Sequence, residues 1–98
     1  MIVSERHTDQ GLLVTVCDAD VLGESFEDEE RGVSLTVTEE FYGGEEATPE
    51  EVEETLARAS IGNLVGEEAV ALAVDAGFVA EPNVLDVEDT RHAQFLRL

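Results

Sequence analysis

An α+β fold, one domain in which a mixed β-sheet carries two helices on one face as a two-layer sandwich, is what this 98-residue sequence predicts. Three observations lead there. Apolar residues alternate with a period of two near both ends and recur at spacings of three and four in the middle, so strands and helices are segregated along the chain. Compact turn signals separate the periodic stretches, with no linker, internal repeat or low-complexity tract among them. A chain of this length also leaves no room for a second core, so residues 1–98 form one domain.

The expected order is β-β-β-α-α-β-β. Residues 2–7 and 12–18 read as two strands joined by Thr8-Asp9-Gln10-Gly11, which places glycine where a short hairpin loop needs positive φ. In the second strand Leu12, Val14 and Val16 take one face and Leu13, Thr15 and Cys17 the other. Both faces are largely apolar, which predicts a central position in the sheet. Residues 18–23 read as a tight turn or one helical turn capped by Asp18 or Asp20. Residues 24–31 read as a charged connection pinned by Phe26. Residues 33–38 form a third strand with Val33, Leu35 and Val37 inward, ending at Phe41-Tyr42-Gly43-Gly44.

Thr48-Pro49-Glu50-Glu51 has every part of a helix start: a Thr N-cap, Pro at the first position and Glu at the third for a capping box. Val52, Leu56 and Ala59 line its inner face. Ser60 is placed to cap a second helix, with Ile61, Leu64, Val65, Ala69, Leu72, Ala73 and Ala76 repeating at three and four and Gly77 as its stop. Gly62 and Gly66 then share one helix face, packed against a neighbour or open to a ligand. Residues 84–87 and 93–98 are the last two strands.

Charge is the loudest compositional signal. There are 24 Asp and Glu against five Arg, no Lys, and a net charge of −19. Such a balance suits disorder or an acidic tail. Here the acids are spread along the whole chain and 43% of residues are apolar in periodic patterns, which requires a folded core. Both facts fit a protein that works in concentrated salt, where the Debye length at 1 M falls to about 3 Å and surface repulsion is screened. One cysteine excludes an intramolecular disulfide and points to a reducing cytoplasm. The N-terminal stretch lacks the features of a signal peptide, and no apolar run approaches the roughly 18 residues that span a bilayer, so no membrane partner is expected.

Several groups offer chemistry. Cys17 with a histidine can make a nucleophile and base, though a lone cysteine on a strand is more often a small core residue. Asp18-Ala19-Asp20 offers carboxylates to a divalent cation, or serves as a cap or turn. One Cys and two His give no zinc spacing, and no phosphate-binding loop or nucleophile elbow occurs. No cofactor is expected. Tyr42 beside Gly43 and Gly44 can contact a base or peptide, or Phe41 is core and the glycines permit a positive-φ turn. Asn63 has no apolar role and needs hydrogen-bond partners if buried.

With these motifs in place, the sequence resembles a family of small archaeal proteins, the domain of unknown function numbered 424. The resemblance rests on Val16-Cys17-Asp18 with Leu22-Gly23, on Phe41-Tyr42-Gly43-Gly44, on residues 61–70, on Gly77, and on His92-Ala93-Gln94. It covers essentially the whole chain. It implies an archaeal, cytosolic, single-domain α+β protein and no activity, and it adds Gln94 to the candidate residues. Abundant acids without lysine are similar in pattern to the proteins of a halophilic archaeon.

One asymmetry stands out against the acid background. Residues 1–7 and 91–98 hold Arg6, Arg91, Arg97, His7 and His92 against the single acid Glu5, a net of +2. Residues 8–90 hold the other two Arg against 23 acids, a net of −21. If the first and last strands are neighbours, Arg6, His7, Arg91 and His92 converge on one positive patch. The leading expectation is therefore a non-catalytic binding module, an RNA or ribonucleoprotein accessory. The alternative is a protein–protein adaptor or homodimer using an exposed sheet edge. A small enzyme, the third reading, lacks an assembled acid, base or metal set.

Overall fold

In the computed structural model, which describes residues 1–97, the chain begins with the expected hairpin: β1 (Ile2–Thr8) and β2 (Gly11–Cys17), antiparallel from Ile2 opposite Cys17 to Thr8 opposite Gly11. Gly11 has φ of +111°, the positive value the loop needs. Being apolar on both faces, β2 lies inside the sheet, with β6 (Ile61–Val65) parallel to it on the other side.

Residues 18–23 make a single 3-10 turn over Ala19–Val21. The charged connection expected at residues 24–31 is instead partly a strand. β3 (Ser25–Asp28) pairs with β4 (Val33–Thr36) in a separate two-stranded ribbon, with Phe26 opposite Leu35. Alternation was present there, because Phe26 and Asp28 are less exposed than Ser25 and Glu27, but five acids in the eight residues 24–31 masked it. The third strand does not run on to the aromatic pair either. Thr38 caps a one-turn helix, α1 (Glu39–Tyr42), by accepting a hydrogen bond from the Phe41 N–H at 3.2 Å.

β5 (Glu45–Glu46) pairs only with Ile2 and Val3 of β1. α2 (Pro49–Arg58) follows, opened by the predicted capping box: the Glu51 N–H donates to Thr48 Oγ1 and the Thr48 N–H donates to Glu51 Oε1. Val52, Leu56 and Ala59 are buried, as their spacing requires.

The long second helix is the main departure. Residues 61–65 are β6, and only Glu67–Asp75 form α3. Ile61, Leu64 and Val65 satisfy helical spacing, but a short apolar run cannot be told from a fully buried strand by period alone. Two features decide it. Gly66 has φ of +114°, which no helix interior accommodates. Ser60 extends the sheet ladder instead of capping: its N–H donates to Leu12 O, and its own carbonyl accepts from Arg97 N–H. Gly62 and Gly66 thus share no helix face. A Cβ on Gly62 would collide with the Phe95 ring, and one on Gly66 with the Asp18 carboxylate.

The chain closes with β7 (Leu85–Val87) and β8 (Thr90–Leu96); residue 98 of the last predicted strand lies outside the described residues. The six-stranded sheet runs β5-β1-β2-β6-β8-β7 and is mixed. One of its faces packs Val14, Val16, Leu64 and Ala93 against Val52 and Leu56 of α2 and Ala69, Val70 and Ala73 of α3. Fully buried Leu56 and Leu64 each contribute about 1.5–3 kcal/mol. At one end of the other face, Cys17 and Val65 pack with Phe26 and Leu35 of the ribbon, Val37 just after it, and Tyr42 of α1. The observed order, β-β-β-β-α-β-α-β-α-β-β, is richer in strands than expected because three acidic or glycine-bearing segments, β3, β5 and β6, pair as strands.

Candidate binding surfaces of the sheet

Side chains on one strand face recur every second residue, so the register lays out the face opposite α2 and α3 in rows. The first is Ile2, Cys17, Val65, His92 and Leu85, part of it under the ribbon and α1. The second is Ser4, Thr15, Asn63 and Gln94. The third is Arg6, Leu13, Ile61 and Leu96. Arg6, Asn63, His92 and Gln94 of the candidate set therefore share one face of the sheet, and His7, one residue out of phase, lies on the other.

The terminal residues do not converge. β2 and β6 separate β1 from β8, and Arg6 is level with Leu96, not with Arg91. Strand spacing puts Arg6 and Arg91 about 20 Å apart, at opposite corners. Sequence alone gave two Arg-rich strands; only strand order tells whether they meet.

Each arginine is engaged within the fold. Arg6 donates to the carbonyls of Glu40 and Phe41 and lies 5.4 Å from the Phe41 ring centre. Arg31 pairs with Asp28, and Arg58 with Glu5 at 3.0 Å. Arg91 bridges Glu81 and Asp86, which hold its guanidinium pKa above the usual value through those hydrogen bonds. Arg97 donates to Ala57 O and sits 5.2 Å from the ring centres of both Phe78 and Phe95. The His92 ring is held as well, Nδ1 donating to Leu64 O at 2.9 Å.

The aromatic pair reverses the expected roles. Tyr42 is the core residue at 4% exposure, and Phe41 is half-buried under Arg6. Burial pushes the Tyr42 hydroxyl up to about 12. Gly43 has an ordinary φ of −66°, so no positive-φ turn is made there. Both glycines serve close approach: a Cβ on Gly43 would collide with Glu39 O, and one on Gly44 with Val3 O. Cys17 is fully buried, and desolvation first, then Asp18, raises its thiol to about 11. A thiol so far above neutral pH supplies no thiolate nucleophile.

Asp18, expected to cap the turn beside it, caps α3 instead. Its oxygens accept the Glu68 N–H at 3.0 Å and the Ala69 N–H at 2.9 Å, fifty residues away in sequence. Glycine is required at Gly66 because this carboxylate occupies the place of a side chain.

The surface that sequence reasoning reached only in outline is the outer edge of β8. In an antiparallel ladder, alternate residues point their N–H and C=O at the partner strand. The Gly66 N–H donates to Arg91 O and the Arg97 N–H to Ser60 O, so Arg91, Ala93, Phe95 and Arg97 face β6. His92, Gln94 and Leu96 face outward. β7 pairs only as far as Leu85 opposite His92, which leaves Gln94 and Leu96 without a strand beyond them among the described residues. Residues 93–96, Ala-Gln-Phe-Leu, carry no charge, and Leu96 is 63% exposed, the one exposed large apolar side chain among the described residues. On the helix side, Phe95 covers Gly62 and stacks on Phe78 with ring centres 5.8 Å apart, which holds β8 in place. A larger hollow of about 610 Å³ between α2 and α3 is lined by Met1, Pro49, Leu72 and the acids Glu53, Glu68 and Asp75.

Residues 5–98 match the family described as Protein of unknown function (DUF424), and the chain belongs to that family. Its fold is similar to that of an uncharacterized conserved protein from Methanopyrus kandleri, known from a crystal structure. The likeness has a TM-score of 0.77 at 24% identity, over 99% of this chain and 92% of that one. No curated protein matches.

Proposed function

Starting from membership of a family with no assigned activity, we propose that this protein is a non-catalytic interaction module that binds an extended segment of a partner protein along the outer edge of β8. The observation that carries the reading is the bare backbone of Gln94 and Leu96 on an uncharged strand in a chain of net charge −19. A strand added there gains main-chain hydrogen bonds, with Leu96 as an apolar anchor. Charge complementarity favours a segment of basic character over a second copy only through charges in direct contact, because salt at about 1 M screens charges beyond about 3 Å. RNA, the partner first expected, meets five arginines already committed to carbonyls, carboxylates and rings, and its stacking residue Tyr42 is buried. The protein is read as acting in the cytoplasm of a halophile, on its acid excess and lack of lysine.

Proline separates the edges. The Gln94 N–H points outward, so Gln94→Pro removes a donor from the β8 edge and leaves the β6 ladder whole. His7→Pro does the same at the β1 edge, where Met1 O accepting from Ala47 N–H sets the odd residues outward. Affinity capture from native high-salt lysate is expected to retain a protein with wild type and with His7→Pro and to lose it with Gln94→Pro. Equal retention by both variants, RNA as the retained species, or a stable homodimer of the pure chain would overturn the reading.

A further inference from the structure

The two faces of the sheet differ where they meet the free edge of β8, and the difference dictates which side chains a bound segment carries. On the face opposite α2 and α3, α1 closes the β1–β2 side: Thr15 Oγ1 donates to Phe41 O at 3.2 Å and the Arg6 guanidinium donates to the same carbonyl at 3.3 Å. Toward β8 this face opens, with Ile61 and Asn63 half-buried and Gln94 and Leu96 exposed. Its two rows there, Thr15, Asn63 and Gln94 and then Leu13, Ile61 and Leu96, hold no acid in a chain with 24 Asp and Glu. The helix side is charged instead. Asp86 stands opposite Arg91, and both Asp86 and Glu81 bind its guanidinium, two carboxylates against one cation next to where the free edge begins.

A strand added beyond β8 continues both faces, because neighbouring residues on paired strands put their side chains on the same side of a sheet. The positions beside Gln94 and Leu96 are two residues apart, so both fall on the open face. Leu96, in line with Ile61, offers apolar surface, and a lysine or arginine beside it would lose water without gaining a carboxylate. Gln94 stands directly opposite Asn63, and each amide both donates and accepts. Intervening positions fall on the side of Asp86 and Glu81. Resting on the reading of the β8 edge given above, we infer that the bound segment alternates strictly. A bulky apolar side chain lies beside Leu96, an amide or hydroxyl beside Gln94, and basic side chains occupy the intervening positions. A slip of one residue would turn the basic side chains onto the acid-free face.

Two synthetic heptapeptides of equal composition and charge test the alternation: Lys-Val-Lys-Gln-Lys-Val-Lys, and its blocked isomer Lys-Lys-Val-Val-Gln-Lys-Lys. Backbone amide shifts are followed in about 1 M KCl, where diffuse attraction to the acidic surface is screened. The alternating peptide is expected to shift the Gln94 and Leu96 amides saturably, about fivefold more tightly than its isomer. Nuclear Overhauser contacts are expected from its valine methyls to Leu96, not to Phe95 or Phe78. Leu96→Ser, at an exposed position, should weaken the alternating peptide about threefold and leave the isomer unchanged. Equal affinity of the two peptides at the Gln94 and Leu96 amides, or valine contacts to Phe95 and Phe78, would overturn the alternation while leaving the edge reading intact. Absence of shifts at those amides with either peptide, or shifts confined to α2 and α3, would overturn the edge reading and the alternation with it.

Discussion

The two edges of the six-stranded sheet are built differently. Beyond the two residues that β5 covers, β1 exposes Glu5, Arg6 and His7, and its charged groups are tied down, Glu5 to Arg58 and Arg6 to the carbonyls of α1. Beyond the three residues that β7 covers, β8 exposes Gln94 and Leu96 and no charge. Charged residues on a free edge discourage another strand from adding, and an uncharged edge invites one. In a chain with 30% charged residues, four uncharged positions at a free edge are the exception, and that difference teaches where to look for a partner.

The largest expected effect belongs to neither edge. Both sit on a body of net charge −19, so raising KCl from about 0.1 to 3 M screens repulsion across the whole domain. A gain of about 3 kcal/mol, or roughly 10–20 °C in Tm, is expected in thermal melts. His7→Pro and Gln94→Pro should climb in parallel with wild type. A flat midpoint would remove the high-salt reading, and a climb lost in one variant alone would make salt an edge effect.

Next comes the support of β8. Gly62→Val forces the Phe95 ring off its strand partner, and about 2 kcal/mol of stability is expected to go, measured by denaturant unfolding. Adding Phe95→Ala should restore part of that loss. Additive losses would mean that Phe95 does not hold the edge through Gly62.

The cover over β1 depends on α2, whose capping box begins two residues after β5. Thr48→Ala is expected to cost about 1 kcal/mol. The backbone and side-chain hydrogen bonds of Thr48 lower the pKa of Glu51 from 4.5, so the ionised form is favoured in the folded state. The advantage of wild type over Glu51→Gln is therefore present above about pH 4.5 and disappears as pH falls through the lowered value. A pH-independent difference between the two melts would assign the box a purely steric role. Smallest is the Glu5–Arg58 pair, half exposed on both sides. Glu5→Gln should change stability by less than about 0.5 kcal/mol, which separates the role of that charge at the β1 edge from any role in holding the fold.

What could be read in the residues was what short-range chemistry decides. Gly11 at the hairpin, the apolar faces of β2, Thr48 with Glu51, and the buried stripe of Val52, Leu56 and Ala59 involve groups within a few residues of each other. Their hydrogen bonds and spacings are the same in any fold that contains them. The acid excess also needs no structure. Of the candidate site, Arg6, Asn63, His92 and Gln94 do share a face, because strand alternation places them there once the register is known.

Tertiary structure decided everything that depends on partners far along the chain. Residues 61–65 fit a helix or a strand equally until β2 and β8 take up their N–H and C=O groups on both sides. Asp18 could cap any nearby N-terminus until the parallel pairing of β2 with β6 brought the start of α3 beside it, and Gly66 had to be glycine for the same reason. Which edges stay bare and which arginines are already occupied follow from strand order. Strand order is a competition among distant segments for backbone hydrogen bonds and buried area, and no local pattern encodes its outcome.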